Sequence, residues 1–410
     1  MTKWIPAVLA VSLYGIVAVA GAAKPPGPGG GGTGGGGSGT DGYVGKNLGA
    51  LPGDSHSDAW DVNPLGRVVG RSYGSGMHAF YWDGAMHPLH KSAASATEPP
   101  TDVAWEVEAM AISGGTKQIA AGWEARTVCT PAPTATDPKN QTCESFAYPI
   151  VWDDGSLGNA PSASRLGLAE GTIGFVGGIN EAGTIIAGDG GAEAGAVWTG
   201  PNWSRKDIPL SDFGYAGTFD SGIAWDVNNQ GIAVGMVSRV GDYQQFAYVA
   251  DTTNGGGTVL PMPGGFVQSG AYAVSNVAGG TVYIAGVVKP CSQSHCQDSR
   301  GIRWTVNVTK IGTSGYQPGY EILDQLAWAE GASDQGFIAG TMNAKPDRRG
   351  NVIQTAMLWK QSVGYIPLKP PKGGSDSTSR SMAVATDGTI YVVGEVNAAG
   401  SWTAAIWTIK

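Results

Sequence analysis

Short apolar runs separated by turns rich in Gly, Asn and Asp follow one another along the chain from residue 43 onward. One spacing of them recurs. "AWDVNPLGRVVG" (59–70) is an apolar strand, a polar turn and a β-branched strand closing on glycine. The same shape returns as "MAISGGTKQIAAG" (110–122), "VGGINEAGTIIAG" (176–188), "AWDVNNQGIAVG" (224–235), "AYAVSNVAGGTVYIAG" (271–286), "EGASDQGFIAG" (330–340) and "MAVATDGTIYVVG" (382–394). The closing glycine appears in every copy: Gly70, Gly122, Gly188, Gly235, Gly286, Gly340 and Gly394. Self-similarity of this kind decides the fold before any local reading does.

Each glycine is followed by a variable connection and a third strand ending in an aromatic column: Trp82, Trp152, Trp198, Trp304, Trp359 and Trp407, with Ala250 the exception, and these tryptophans are expected to be core residues. A small residue stands three before that column in all copies but one, where Pro149 takes its place. In the first copy, Asp83-Gly84 reads as a two-residue hairpin turn into a fourth strand, "AMHPL", which sets Phe80 opposite His87 and His78 on the same face as His87.

Four antiparallel strands repeated about every 50 residues predict an all-β, seven-bladed β-propeller of four-stranded antiparallel blades. A lone blade would expose two apolar faces and two edges, and packing blades around an axis covers both faces. The units span approximately 54–100, 101–164, 165–212, 213–264, 265–323, 324–373 and 374–410. The last unit stops after its third strand, "AAIWTIK", while "YVGKNLGALPG" (43–53) precedes the first unit and looks like a fourth strand. The N-terminal strand is therefore expected to pair with the last blade and close the ring.

The unit resembles the HAF repeat of bacterial extracellular proteins, LG-L-G, S-A--VN--G-VVG-S, HAF-W--G-M--L. It is carried here by Leu48, Gly49, Leu51, Gly53, Ser57, Ala59, Val62, Asn63, Gly66, Val68, Val69, Gly70, Ser72, His78, Ala79, Phe80, Trp82, Gly84, Met86 and Leu89. The likeness covers essentially residues 43–410 and is closest in the first unit. It implies a secreted repeat propeller and no settled activity.

Composition adds the setting. Lys3 followed by an apolar stretch to Ala23, with Ala18, Ala20 and Ala22 near its end, reads as a signal peptide over 1–23. "KPPGPGGGGTGGGGSGTDG" (24–42) is a Gly/Pro-rich linker. No second apolar run of that length follows, so the mature chain is expected to lack a membrane span and to be secreted, extracellular or periplasmic, as a monomer. A net charge of −8 leaves no basic footprint, which excludes nucleic acid as the expected partner. Of the four cysteines, Cys129 with Cys143 and Cys291 with Cys296 are expected to form local disulfides.

Function has to come from a site. The early residues of the first strands should line an axial channel. The candidate ligand-binding residues there are His56, Asp58 and Trp60 of unit one, Trp105, Glu106 and Glu108 of unit two, Asp220 and Trp225 of unit four, Tyr272 of unit five, Trp328 and Glu330 of unit six, and Arg380 of unit seven. Carboxylates beside aromatic platforms suit sugars, and a carboxylate pair can act as general acid and base. Long connections at 124–145, 289–300 and 343–354 are expected to crowd one rim. No metal or cofactor is expected. Ca²⁺ in a turn such as "DGGAE" (189–193) has no supporting pattern, and His78 with His87 lacks a third ligand. Two functions remain: binding of an extracellular glycan, matrix component or partner protein, or a carbohydrate-active enzyme, a polysaccharide lyase or glycosidase, working at the channel mouth through His56 or a carboxylate pair.

Overall fold

β-branched runs punctuated by glycine turns produce an all-β structure. The computed structural model describes residues 42–410 apart from 75, 93–103, 131–141, 154–156, 160, 169–173, 190–192, 214–218, 243, 292–297, 344–352 and 399. The expected signal peptide, nearly all of the linker, Cys296 and most of the three long connections thus lie outside the described residues, as does the core of "DGGAE". None of the described helices is long and apolar enough to cross a membrane.

β1 (Tyr43–Gly49) comes first. Then follow β2 (His56–Val62), β3 (Val68–Tyr73), β4 (Met77–Trp82), β5 (Met86–Ser92), β6 (Ala104–Ile112), β7 (Ala120–Thr130), β8 (Thr142–Trp152) and β9 (Ser162–Arg165). The middle of the chain gives β10 (Val176–Ile179), β11 (Ile185–Gly188), β12 (Gly195–Thr199), β13 (Ser204–Ile208), β14 (Phe219–Val227), β15 (Ile232–Arg239), β16 (Gln245–Asp251) and β17 (Gly257–Val259). The remainder gives β18 (Gln268–Val274), β19 (Thr281–Lys289), β20 (Arg300–Asn307), β21 (Gly319–Leu323), β22 (Trp328–Ala332), β23 (Phe337–Asn343), β24 (Gln354–Lys360), β25 (Gly364–Leu368), β26 (Gly374–Val384), β27 (Ile390–Ala398) and β28 (Ser401–Ile409).

Four-stranded antiparallel sheets form from β10–β13, β14–β17, β18–β21 and β22–β25, each in sequence order. Units one and two, β2–β5 and β6–β9, join into one eight-stranded sheet because their outer strands β5 and β9 pair in parallel. Buried Glu124 locks that junction by accepting from the Ser92 backbone N–H at 2.8 Å and from Arg165 Nε at 2.6 Å. The last sheet runs β1-β28-β27-β26, and β1 pairs antiparallel with β28 from Tyr43↔Ile409 to Gly49↔Ala404. First strands pack on first strands in the order β2, β6, β10, β14, β18, β22, β26, and β26 packs on β2.

The repeated small residue of the third strand has a structural reason. Its backbone lies against the first strand of the next sheet, where the N–H groups of Ala404, Ala247 and Ala356 donate to Ser57, Ser269 and Ser377 Oγ at 2.8–3.0 Å. The tryptophan column fills the wider outer part. Trp152, Trp198, Trp304 and Trp407 are fully buried, and each indole N–H donates at 2.7–2.8 Å to a carbonyl in or just after the fourth strand that precedes it: His90, Gly167, Pro261 and Lys369.

Two sequence expectations need correction here. Trp82 is only half-buried and carries the Lys46 ammonium 4.7 Å from its ring centre, so it is not a core residue like the rest of its column. The first hairpin loop has three residues, with Asp83 N–H donating to Ala85 O, which shifts the register by one. Tyr81, not Phe80, then stands opposite His87. His87 bonds Asp83 and His78 bonds Asp54, so the two imidazoles do not share a partner.

Burial makes the consequence measurable. Trp407→Ala should cost about 3–5 kcal/mol, the range for truncating a large core aromatic, and Trp82→Ala clearly less. Urea unfolding midpoints of the two variants test this, and equal losses would mean the half-buried ring packs as tightly as the buried one.

Candidate functional site

Every first strand is broken at one equivalent position. The ladder between first and second strand shifts register around Trp60, Met110, Gly177, Trp225, Tyr272, Glu330 and Arg380. A β-bulge of this kind leaves one residue unpaired and re-aims it. All seven bulged residues line a single cavity of about 100 Å³, together with Ile179 and the residue directly after six of them, including Asp61, Asp226 and Ser381.

The bulge also explains the glycine that marks the repeat. In each unit a Cβ on that glycine would lie closer than 3.0 Å to the carbonyl oxygen of the residue two before the bulge: Asp58 for Gly70, Glu108 for Gly122, Phe175 for Gly188, Ile223 for Gly235, Gly270 for Gly286, Trp328 for Gly340 and Thr378 for Gly394. None of these glycines has a positive φ, so close approach of two backbones, and not conformational freedom, selects them.

Around Trp60 the walls are ionic. Arg71 Nε bonds Asp58 Oδ2 at 2.5 Å, and its Nη1 lies 3.2 Å from Glu108 Oε1. Arg380 reaches Glu330 Oε1 at 3.2 Å and Glu395 Oε1 at 3.1 Å. Both guanidinium groups sit near the Trp60 ring, 5.3 Å (Arg71) and 4.8 Å (Arg380) from its centre. Across the cavity Trp225 and Tyr272 form a tilted aromatic pair with centroids 6.2 Å apart.

Below the bulge lie two carboxylates that the sequence pattern did not single out. Asp61 accepts from Ser381 Oγ at 2.6 Å and from the Ile112 and Val62 N–H groups at 2.8 Å. Asp226 accepts from the Val274 and Val227 N–H groups at 2.8 Å. Each therefore ties its own first strand to that of the next unit.

Burial dominates the acidities. It pushes Asp61 up to about 6 against its three hydrogen bonds, and Asp226 up to about 8, helped by the negative charge of Asp61. Glu108 rises to about 7 through burial and the nearby Asp58, although Arg71 opposes the shift. Glu395 rises to about 7 through burial and Asp58, against Arg380. Burial raises Glu330 as well, against Arg380. Burial opposes the charge on Arg71, yet Glu108, Asp58 and Glu395 together hold it above its ordinary value.

The expected site residues separate into groups. Trp60, Trp225, Tyr272, Glu330 and Arg380 are bulge residues and line the cavity. Asp58 and Glu108 are buried in the ionic wall behind Trp60. His56 lies at the start of β2, stacked on Tyr73 with centroids 5.2 Å apart and with Nδ1 2.7 Å from Ser55 Oγ, and it does not reach the cavity lining. Glu106 and Asp220 are exposed, and Trp328 is half-buried at the start of β22. Trp105 belongs to β6, and its side chain lies outside what is described.

Asp61, Asp226, Arg71 and Glu395 were missed for different reasons. A strict two-residue period sends Trp60 and Asp61 to opposite faces, and only the bulge brings both to the cavity. The identical "AWDVN" in units one and four was the available signal for the aspartates. Arg71 and Glu395 each directly follow a repeat glycine, on second strands. Among the described residues no group of three or more His, Cys, Asp or Glu has the geometry of a metal site.

No family model matches this chain, and no curated protein does. Solved structures do. A protein of unknown function from Dyadobacter fermentans is 9% identical with a TM-score of 0.43, over 90% of this chain and 100% of that one. Trypanosoma rangeli sialidase in complex with the inhibitor DANA is 11% identical with a TM-score of 0.42, over 90% of this chain. The GH74 xyloglucanase from Xanthomonas campestris is 10% identical with a TM-score of 0.43, over 88% of this chain. The chain spans 59% of the sialidase and 55% of the xyloglucanase.

Proposed function

We propose that this chain is a secreted seven-bladed β-propeller, closed by its N-terminal strand, that binds an extracellular ligand at the mouth of its axial cavity. One observation carries the reading. A bulged residue from each of the first strands converges on a single small cavity, and the side chains so aimed are three aromatic rings, a methionine, an arginine and a glutamate, beside the half-buried Asp61 and Asp226. Hydrophobic packing gains nothing from burying the arginine and the carboxyls, because each buried charge has to be compensated by a partner. Aromatic platforms beside carboxylates and guanidinium groups suit a polar ligand with apolar faces, as a glycan has.

Residues 1–23 serve in this reading as the signal peptide and 24–42 as the linker, while the connections at 124–145, 289–300 and 343–354 frame the ligand. Cys129 and Cys143 are register partners on β7 and β8, a placement that suits a cross-strand disulfide, and Cys291 would pair with Cys296. Peptide mapping without reductant should recover both local pairs; a 129–291 link would overturn the assignment.

The test of binding is direct. The purified chain is passed over immobilised polysaccharides beside a Trp225→Ala, Tyr272→Ala double variant. Retention should weaken at least about fivefold in the variant, the loss expected of two stacking rings worth roughly 0.5–1.5 kcal/mol each. Equal retention of both proteins would remove the cavity from the reading.

A hydrolytic or eliminative activity is favoured by one observation. Asp61 and Asp226 line the same cavity, and burial raises them to about 6 and about 8, where a carboxyl can give and take a proton near neutrality. New reducing ends, or ultraviolet absorbance from unsaturated uronates, released from a polysaccharide panel would establish it, and Asp226→Asn should then abolish that release.

A further inference from the structure

The ionic wall lies on one side of the first-strand ring, and the ring closure falls in the middle of it. Asp58, Glu108 and Glu395 are at most 5% exposed. The counterparts of Asp58 in units three, four and five are Phe175, Ile223 and Gly270, which bring no charge. Arg380 and Glu330 join unit seven to unit six, and Arg71 and Glu108 join unit one to unit two. No stretch of chain links the three strands β26–β28 directly to unit one, so contact alone holds that junction shut. The β1–β28 ladder forms its outer part. Further in, the Ala404 N–H donates to Ser57 Oγ at 2.8 Å, the Ser381 hydroxyl donates to Asp61 at 2.6 Å, and the Arg380 guanidinium lies 4.8 Å from the Trp60 ring centre. Across the same face, Glu395 of β27 meets the like charge of Asp58 of β2.

Four carboxyls, Asp58, Glu108, Glu330 and Glu395, thus share the two guanidinium groups of Arg71 and Arg380. With all four ionised, more negative charge than positive is held out of water, which is costly. Two protons taken up would leave one carboxylate for each guanidinium. Facing Glu395 are Arg380 of β26, Asp58 of β2, and Arg71 and Tyr73 of β3, while β28 carries no charged residue. Facing Glu108 are Asp58 of β2 and Arg71 of β3, and Glu124 of the adjacent β7 is turned to Ser92 and Arg165.

We propose that the ring closure is a pH-sensitive device, in which Glu395 and Glu108 take up protons from mildly acidic solvent and tighten the contact between units seven and one, and release them in mildly alkaline solvent, where like charge loosens it. Closure by the N-terminal strand, proposed above, is its premise. Burial holds both glutamates up at about 7 in the folded chain, whereas an unfolded glutamate titrates near ~4.3. Folding therefore takes up protons between those values. The stability so gained is fully present below the unfolded value and is lost as pH rises through the folded one.

Thermal melts of the whole chain at about pH 5 and about pH 8.5 test this, with amide hydrogen exchange of β1 and β15 read in the same samples. The wild type should melt at least ~5 °C higher at the acidic pH. Intrinsic exchange accelerates with pH equally in both strands, so β15, inside unit four, reports global opening. Protection of β1 should fall relative to β15 as pH rises. Glu395→Gln keeps an acceptor for Arg380 but cannot ionise. It should raise the melting temperature at the alkaline pH, change it little at the acidic one, and restore β1 protection. Glu108→Gln should act in the same direction and serves if the first variant fails to fold. Melting independent of pH, or equal losses by the glutamine variants at both pH values, overturns the device. Loss of protection by β1 and β15 in step overturns its placement at the closure. Whether the N-terminal strand closes the ring at all is decided separately, by a chain starting at Asp54.

Discussion

Gly235→Ala should prevent stable folding or cost more than about 3 kcal/mol, the upper range for forcing extra atoms into a packed interior. The added methyl would collide with the Ile223 carbonyl and also lie 3.0 Å or less from the Ile223 carbon and the Ala224 Cα, all of them backbone atoms. A flexible side chain can swing aside, but a backbone carbonyl inside a ladder cannot. The first strand would have to lose its bulge at Trp225, and with it the inward aim of that ring. Exposed Gly319, in β21, has no heavy atom within 4 Å of the same imagined Cβ, so Gly319→Ala serves as the control and should stay within about 0.5 kcal/mol. Chemical denaturation of both variants checks the pair. A Gly235→Ala protein as stable as the control would mean that the bulge is not what selects the repeat glycine.

Removing β1 should be as severe. A chain starting at Gly42 retains the whole β1–β28 ladder, whereas one starting at Asp54 exposes the edge of β28 from Ala404 to Ile409. More than the ladder goes. The Lys369 N–H donates to the Tyr43 hydroxyl at 2.9 Å, the Leu51 N–H donates to Ser72 Oγ at 2.9 Å, and buried Leu51 leaves the cluster formed by Ala59, Val62, Phe80 and Ile406. Loss of a core leucine and a strand together takes about 5 kcal/mol or more, comparable with the whole margin of a typical domain. The Asp54 chain should therefore aggregate through its open edge or melt at least ~10 °C lower than the Gly42 chain. Light scattering and thermal melts compare them, and two equally stable monomers would refute closure by the N-terminal strand.

How far the sequence went depended on the kind of signal. Strand order within each unit was legible because turns and β-branched runs are local, and the glycine column carries across seven copies and the tryptophan column across six. The pairing of residues 43–49 with the last strand followed from simple bookkeeping, one strand left over and one strand missing. The half-exposure of Trp82 was not legible, since what lies over its ring is Lys46 of β1, a contact from the neighbouring last sheet. The one-residue slip of the first hairpin was missed because Asp83-Gly84 reads as a two-residue turn while Ala85 joins the loop.

The site divides the same way. Trp60, Trp225, Tyr272, Glu330 and Arg380 could be named from position alone, because the repeat brings equivalent residues to one level of the first strands. Which of their neighbours join them could not. The bulge adds a residue to the inner strand, so Asp61 and Asp226 swing to the cavity that alternation denies them. The ionic wall likewise needs Arg71 and Glu395 from second strands and Glu108 from the next unit, contacts far apart in sequence. What the sequence determined by itself was therefore the repeated local grammar of turn, strand and column, which depends on neighbours along the chain. What only the tertiary structure decided was the bulge geometry, the burial that moves Asp226 and Glu108 from ordinary acids to groups near neutrality, and the charge balance of the cavity. Those arise from desolvation and from backbone approach between strands, and neither is a property of any residue alone.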